Sequence, residues 1–297
     1  MSSNSGILWV AATPLGNPGD LSPRAGEILS GVYRILAEDT RRSGLLLARC
    51  GVRSNGFISL HEHNEEKRLP GVLTLLKNGH DLALISDAGT PLLADPGYRL
   101  VRACRKEGLR VSPLPGPSAP AAALSVAGIP PLPYAFLGFA PRKAADREHF
   151  FAPYARLNLS LVFFERKDRL HHCLRVAGRV LGRREACLAR EMSKTYEEFI
   201  SFFLDDLSAL PLEPAGEITV VIGPPLGKEP ALPQSSDLED LDRMIREEAQ
   251  AGCGMRETVR RVRERVRGAF SPREIKTKEI YSRLQNLRDI DTADQSG

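Results

Sequence analysis

A chain of 297 residues, 42% hydrophobic and 26% charged, with a net charge of +4, is long enough for two domains with proper cores and needs neither a disulfide framework nor a structural metal to fold. Five scattered cysteines, Cys50, Cys104, Cys173, Cys187 and Cys253, form no C-x-x-C pair, which points to free thiols in a reducing cytoplasm. No segment approaches the roughly 20 apolar residues of a membrane span, and the opening MSSNSGILWVAATP has no basic start and only a six-residue apolar run, so we expect a soluble, untargeted, cytoplasmic protein with no membrane partner.

In chain order, the apolar run Ile7 to Ala12 predicts a strand that ends in TPLGN, and Ser22 before Pro23 predicts a capped helix start. Further strands are predicted at Tyr33 to Ala37, ending in EDTRRSG; at Phe57 to Leu60, ending in HEHNEE; at Leu82 to Ile85, ending in SDAGTPLLADPG; and at Arg110 to Leu114, ending in PGPSA. A helix is predicted from Tyr98 to Glu107. Every strand thus delivers a polar or Gly/Pro-rich loop at its carboxyl end, where ligands bind in open α/β sheets. Residues 1–128 read as a mostly parallel α/β domain.

The proline-dense stretch IPPLPYAFLGFAPRK marks a boundary. Residues 129–223 read as a second α/β domain with more antiparallel character: helices at Arg147 to Arg156 and Asp168 to Val180, and the strands LSLVFFE, ACLARE and GEITVVIG. Residues 224–235 have linker composition. Over residues 236–297 the pattern is helical, with apolar stripes Leu238, Leu241, Ile245; Val259, Val262, Val266; and Ile280, Leu284, Leu287. Six Arg and two Glu fall between Arg256 and Arg267, so this all-helical module reads as a helix-turn-helix-like, nucleic-acid-binding tail.

No G-x-G-x-x-G follows a strand and no G-x-x-x-x-G-K-[ST] occurs, so the common dinucleotide and phosphate-loop readings fail. The loops TPLGN, DAGTP and PGPSA instead expose small residues at one sheet edge. Gly89 would let a ligand approach the backbone, which suits a neutral or zwitterionic cofactor better than a polyphosphate. His61 and His63 lack partners that would complete a metal set, and no metal is expected.

The ordered motifs ATPLGNPGDLSPRAGEIL, ILAEDTRRSGLLL, LHEHNE, LISDAGTPLLADPGYRLV, PLPGPSAPAAALSVAG, FLGFAPRK, LVFFE, AREMSKTYEE and GEITVVIG resemble the ribosomal RNA small subunit methyltransferase I family, within the tetrapyrrole methylase-like group. The resemblance implies two α/β domains with a helical tail, a homodimer, and S-adenosyl-L-methionine in a cleft. The implied reaction is methylation of the ribose 2'-hydroxyl of a decoding-centre cytidine in small-subunit rRNA, either naked or within the assembled subunit. Carried over by motif, the cofactor positions are Pro14, Ala88, Gly89, Thr90, Leu93, Ser118, Ala119, Phe164, Glu165, Met192 and Ser193. The family's FFE is usually followed by a Ser and then a His before Arg-Leu, whereas here Arg166, Lys167 and Asp168 stand between Glu165 and Arg169-Leu170.

A ribose hydroxyl is a poor nucleophile at neutral pH and needs a proton acceptor or a cation beside the developing alkoxide. Strand-end candidates are Glu38, Asp39, Asp87, Asp95, Glu165, Glu191 and Lys194. Of these we favour Glu38, Asp39, Glu191 and Lys194 for catalysis. Candidate RNA contacts are Arg41, Arg42, Arg142, Lys143 and Arg147 around the cleft and Arg260, Arg261, Arg273 and Lys276 in the tail. Two alternatives remain: a methylase of the same fold acting on a tetrapyrrole or a protein, and a non-catalytic RNA-binding or ribosome-assembly factor.

Overall fold

The computed structural model describes residues 5–226, 235–250, 254–269 and 280–284. The chain divides into two compact units, 1–227 and 228–297. The first unit contains two five-stranded sheets.

The first sheet comprises β1 (Ile7–Ala11), β2 (Arg34–Ala37), β3 (Phe57–Ser59), β4 (Leu82–Ile85) and β5 (Arg110–Leu114), in the order β3-β2-β4-β1-β5. All its pairings are parallel, so every carboxyl end lies at one edge. All four residues of β4 are buried, as expected of a central strand covered on both faces. The connecting helices are α1 (Pro23–Gly31), α2 (Thr40–Arg49), α3 (Glu65–Lys77) and α4 (Tyr98–Lys106), and α5 (Ala119–Val126) follows β5. Two cores pack on this sheet. One gathers Leu29, Ile35, Leu47 and Ala83, the other Leu8, Leu36, Leu76 and Leu100.

The helix starts follow local chemistry. Ser22 Oγ accepts from the Ala25 amide at 3.2 Å with Pro23 in the first turn, and Asp39 Oδ1 accepts from the amides of Arg41 and Arg42. The N-cap of α4 is Gly97, which has no side chain to offer. The buried Glu65 of α3 accepts from Leu100 N at 2.9 Å instead.

The second sheet comprises β6 (Tyr134–Phe139), β7 (Ser160–Glu165), β8 (Glu185–Arg190), β9 (Glu198–Phe203) and β10 (Ile218–Ile222), in the order β6-β7-β10-β8-β9. Only β6 and β7 run parallel; β10 is antiparallel to both its neighbours, as β9 is to β8. Helices α6 (Ala144–Phe151) and α7 (Leu170–Leu181) cover it over a core that includes Phe151, Phe163, Leu174 and Val220. The fold class is the expected pair of α/β units. Two strands were not foreseen, however: β6 hides inside the proline-rich stretch taken as a boundary, and β9 follows directly on the AREMSK loop.

The buried Arg184 fills a polar slot under this sheet, donating to the carbonyls of Leu181, Gly223, Tyr154 and Ala155. A buried cation without a carboxylate is tolerated here because backbone acceptors satisfy its donors.

The helical unit, described by itself, contains α8 (Ser235–Gln250) and α9 (Met255–Ala269). Leu241, Ile245, Val259, Val262, Ile280 and Leu284 form its own small core. These residues come from all three of the apolar stripes read along the tail.

Candidate active site

The carboxyl ends of β1, β4 and β5 are knitted together by their loops. Thr13 and Gly89 exchange backbone hydrogen bonds at 2.9 and 3.0 Å, the Thr13 hydroxyl donates to Ser86 O at 3.0 Å, and the Thr90 hydroxyl donates to Pro117 O at 2.9 Å. Gly89 has φ +80°, and a Cβ there would stand 3.2 Å from Leu15 Cδ2. The left-handed backbone favours glycine at this position, and any side chain there would press on Leu15.

These loops form one wall of a cavity of about 500 Å³, within the range of about 300–1,000 Å³ usual for small-molecule sites. The wall presents Leu15, Asp87, Ala88, Gly89, Thr90 and Leu93, together with Asp95, Ser118 and Ala119. The opposite wall comes from the second sheet: Phe164 and Glu165 at the end of β7, the loop residues Arg166 to Asp168, Met192 after β8, and Gly216 to Thr219 at the start of β10. The antiparallel register explains the last group, because Ile218 pairs with Glu165 and Thr219 with Phe164. The start of β10 therefore lies beside the end of β7.

Nine of the eleven cofactor candidates line this cavity: Ala88, Gly89, Thr90, Leu93, Ser118, Ala119, Phe164, Glu165 and Met192. Pro14 and Ser193 do not. Pro14 is buried, and the Ser193 hydroxyl instead accepts from Asn17 N at 3.3 Å across to the first loop. Both line a neighbouring groove with Arg42, Arg49 and Lys194, and this groove shares Leu15, Asp87, Ala88 and Glu217 with the cavity.

None of the four favoured catalytic residues lines the cavity. Asp39 is consumed as the cap of α2, and its carboxyl is held below the ordinary value chiefly by the Arg42 amide. Glu38 is exposed at the end of β2. Glu191, at φ +50°, accepts from Lys194 Nζ at 2.9 Å and from the Glu217 amide at 2.8 Å. Burial pushes its carboxyl up, and these donors more than offset that, leaving it below its usual value. Lys194 Nζ also reaches Glu217 Oε2 at 3.0 Å. A neutral amine is needed for proton abstraction, and both carboxylates hold Lys194 charged against the opposing effect of burial.

Arg147 is corrected from RNA contact to internal support. Its side chain is 3% exposed, and it donates to the carbonyls of Pro141 and Arg142, contacts His172 Nδ1 at 2.6 Å, and lies 3.9 Å from Glu165 Oε2. Arg41, Arg42, Arg142 and Lys143 are exposed as a phosphate contact requires. Arg260 and Arg261 are exposed, and Glu257 binds both guanidinium groups. That pairing pulls the Glu257 carboxyl down to about 2. Arg273 and Lys276 lie outside the described residues. Among the described residues no cluster of three or more His, Cys, Asp and Glu is placed to hold a metal ion, and no helix is long and apolar enough to cross a membrane.

Residues 8–208 match the family of Tetrapyrrole (Corrin/Porphyrin) Methylases. A protein of Mycobacterium tuberculosis named ribosomal RNA small subunit methyltransferase I is 38% identical over 290 residues, 96% of this chain and 97% of its own. The chain belongs to the ribosomal RNA small subunit methyltransferase I family. The family member from Xylella fastidiosa is 46% identical over 196 residues, 66% of this chain and 71% of its own. Among solved structures, the methyltransferase CobJ superposes with a TM-score of 0.58 at 21% identity, covering 74% of this chain and 95% of that one. A uroporphyrin-III-C-methyltransferase from Thermus thermophilus superposes at 0.52 and 18% identity, covering 73% and 94%. These two share the fold.

The family's methyl donor is S-adenosyl-L-methionine, and the cavity has the chemistry to take it. Two buried carboxylate oxygens on its walls, Asp87 Oδ1 and Glu165 Oε2, have no hydrogen-bond partner, and such atoms call for a donor. The amino and hydroxyl groups of an adenosyl amino acid supply donors, and Phe164, Met192, Leu15 and Leu93 offer apolar contact to the rest. Sequence reasoning missed Leu15, Phe139 and Gly216 to Thr219. The last of these were signalled only by a glycine before an apolar strand, which carries no information about a site until the strand's direction is known.

Proposed function

We propose that this chain methylates small-subunit ribosomal RNA, at the ribose 2'-hydroxyl of a decoding-centre cytidine. The observation that carries the reading is the end-to-end likeness to a protein named for that subunit's rRNA, on a chain whose cavity adjoins a groove lined by Arg42, Arg49 and Lys194. Bound in the cavity, S-adenosyl-L-methionine supplies an electrophilic methyl carbon on a sulfonium; the protein's work is to align an oxygen with it. The backbone of Ala88 to Thr90 and of Ser118 and Ala119 offers close polar contact where no side chain intervenes. Arg42, Arg49 and Lys194 line the adjoining groove, where a nucleotide phosphate would bring its ribose toward the shared residues Asp87 and Ala88. Arg41, Arg142 and Lys143 extend the basic rim. Phosphate contacts of this kind position the RNA and carry little sequence information, so selection of one ribose rests on the shape of the folded rRNA, with the target nucleotide unstacked.

The test is transfer of tritiated methyl from S-adenosyl-L-methionine to naked small-subunit rRNA and to assembled subunits, followed by mapping of the labelled nucleotide. Label on a ribose of the decoding centre is the expected result. Label in neither substrate would sink the reading, and label on a base would move the chemistry to another acceptor.

A further inference from the structure

Five carboxylates line the cavity: Asp87, Asp95, Glu165, Asp168 and Glu217. Four of them face a cation at salt-bridge distance. Asp87 meets Arg42 at 3.0 Å, Glu165 meets Arg169 at 2.5 Å, Asp168 meets Arg166 at 3.2 Å and Glu217 meets Lys194 at 3.0 Å. Asp95 forms no salt bridge with any described residue.

The backbone around Asp95 is specialised. Leu92 and Ala94 have φ of +72° and +71°, a left-handed conformation that non-glycine residues avoid. The following Gly97 has φ +116°, and a Cβ there would lie 2.5 Å from Leu84 Cδ2 of β4. The segment is thus pressed against the end of the central strand, and strain of this kind persists where the surroundings impose it, as they do around functional sites. It holds a half-buried carboxylate at the cavity wall.

The charged groups around Asp95 come from several elements. Glu38 at the end of β2 and Asp87 after β4 are carboxylates like itself; Ser86 presents a hydroxyl; and Glu165, Arg166, Lys167, Asp168 and Glu217 stand on the opposite wall. Desolvation first, then the charges of Glu38 and Asp87, push the Asp95 carboxyl up to about 6. Such a group is ionised at neutral pH yet more basic than an ordinary carboxylate, the compromise that suits a general base.

We propose that Asp95 is the proton acceptor for the hydroxyl that becomes methylated. The O–H bond breaks as the O–CH3 bond forms, the proton passes to a carboxylate oxygen of Asp95, and the methyl–sulfur electron pair leaves with sulfur. The inference rests on the reading of a ribose hydroxyl as acceptor. Each of the other wall carboxylates has a cation at salt-bridge distance; burial raises the Asp87 carboxyl too, but there Arg42 works against the rise.

The experiment compares wild type, Asp95→Asn and Asp95→Glu for affinity toward S-adenosyl-L-methionine by calorimetry, and for kcat, KM and pH profile with the rRNA substrate. For Asp95→Asn we expect cofactor affinity within about threefold of wild type, unchanged KM for RNA, and kcat lower by roughly 10²–10⁴-fold. Wild-type kcat falls as pH drops below about 6, a limb absent from the residual activity of Asp95→Asn and shifted in Asp95→Glu. Retained kcat in Asp95→Asn, or retention of the acid limb, overturns the assignment. So does loss of cofactor affinity, which would make Asp95 a cofactor partner. If wild type transfers nothing to rRNA, the acceptor reading falls and takes the assignment with it; if wild type and Asp95→Asn transfer equally, the assignment alone falls.

Discussion

On the cavity wall built from the second sheet, every lining carboxylate is bound to a cation of the same sheet's loops, Glu165 to Arg169, Asp168 to Arg166 and Glu217 to Lys194, which also binds the neighbouring Glu191. On the wall built from the first sheet stand Asp87 and Asp95, with Glu38 and Asp39 just outside the cavity at the end of β2, and among the described residues only Arg42 stands at salt-bridge distance from any of the four. The contrast separates two tasks. A cation at salt-bridge distance opposes the effect of burial on a carboxyl, as Arg42 does at Asp87, whereas Asp95 has none and is pushed up to about 6. On the proposal made for Asp95, the second wall serves as scaffold and the first carries the chemistry.

The strongest way to break that distinction is to remove a cation from the scaffold. Arg147 and Glu165 are both almost fully buried, with Arg169 as the second cation at Glu165. Arg147→Ala leaves that carboxylate half compensated and removes the donors bonded to the carbonyls of Pro141 and Arg142. We expect a loss of roughly 1–3 kcal/mol in urea unfolding, the cost of leaving buried acceptors without their donor, since Arg169 still pairs with Glu165. Unchanged stability would mean that the pairs do not hold this wall together.

How much of this was legible beforehand follows the same division. The first sheet announces itself: in a parallel βα repeat every strand ends at one edge, so TPLGN, DAGTP and PGPSA could be brought together without coordinates. On the second sheet direction matters. Only the antiparallel course of β10 places Gly216 to Thr219 beside Phe164 and Glu165, and no local pattern in GEITVVIG reveals it. The sequence also placed Arg147 with the exposed Arg142 and Lys143 by proximity, although the helical turn between them carries its side chain inward. Asp95 could be named as a strand-end acid, but its lack of a cation is a property of three-dimensional neighbours. For Glu191 and Lys194 the converse holds: three residues apart, they satisfy each other in the structure, which their spacing alone does not reveal.

The second prediction uses pH to tell the walls apart. A carboxyl whose folded pKa is raised is destabilising when charged, so the penalty at Asp95 is present above about pH 6 and disappears as pH falls and the folded protein takes up the proton before the unfolded chain does. Asp95→Asn should accordingly be more stable than wild type at pH 8, by about 1–2 kcal/mol after allowance for solvent screening, and the advantage should vanish toward pH 4. Glu191 has the opposite sign. Its lowered pKa contributes stability above the ordinary carboxylate value that is lost as pH falls through the folded one. A pH-independent difference between Asp95→Asn and wild type would remove the electrostatic distinction between the walls.

The smallest effect is expected at Asp39, which stands at the same sheet edge as the first wall but has its carboxylate engaged by nearby donors. Its carboxylate accepts from the amides of Arg41 and Arg42, and a group occupied in capping a helix is a poor base, because protonation would cost the cap its charge-assisted bonds. Asparagine caps about as well as aspartate. Asp39→Asn should therefore keep both its thermal midpoint and its kcat close to wild type, while Asp39→Ala, which cannot cap, should lower the midpoint and leave kcat largely intact. A kcat that collapses in Asp39→Asn with the fold undisturbed would show that charge at this helix start enters the reaction. The chemistry would then have to be assigned to the whole acidic edge of the first sheet and not to Asp95 alone.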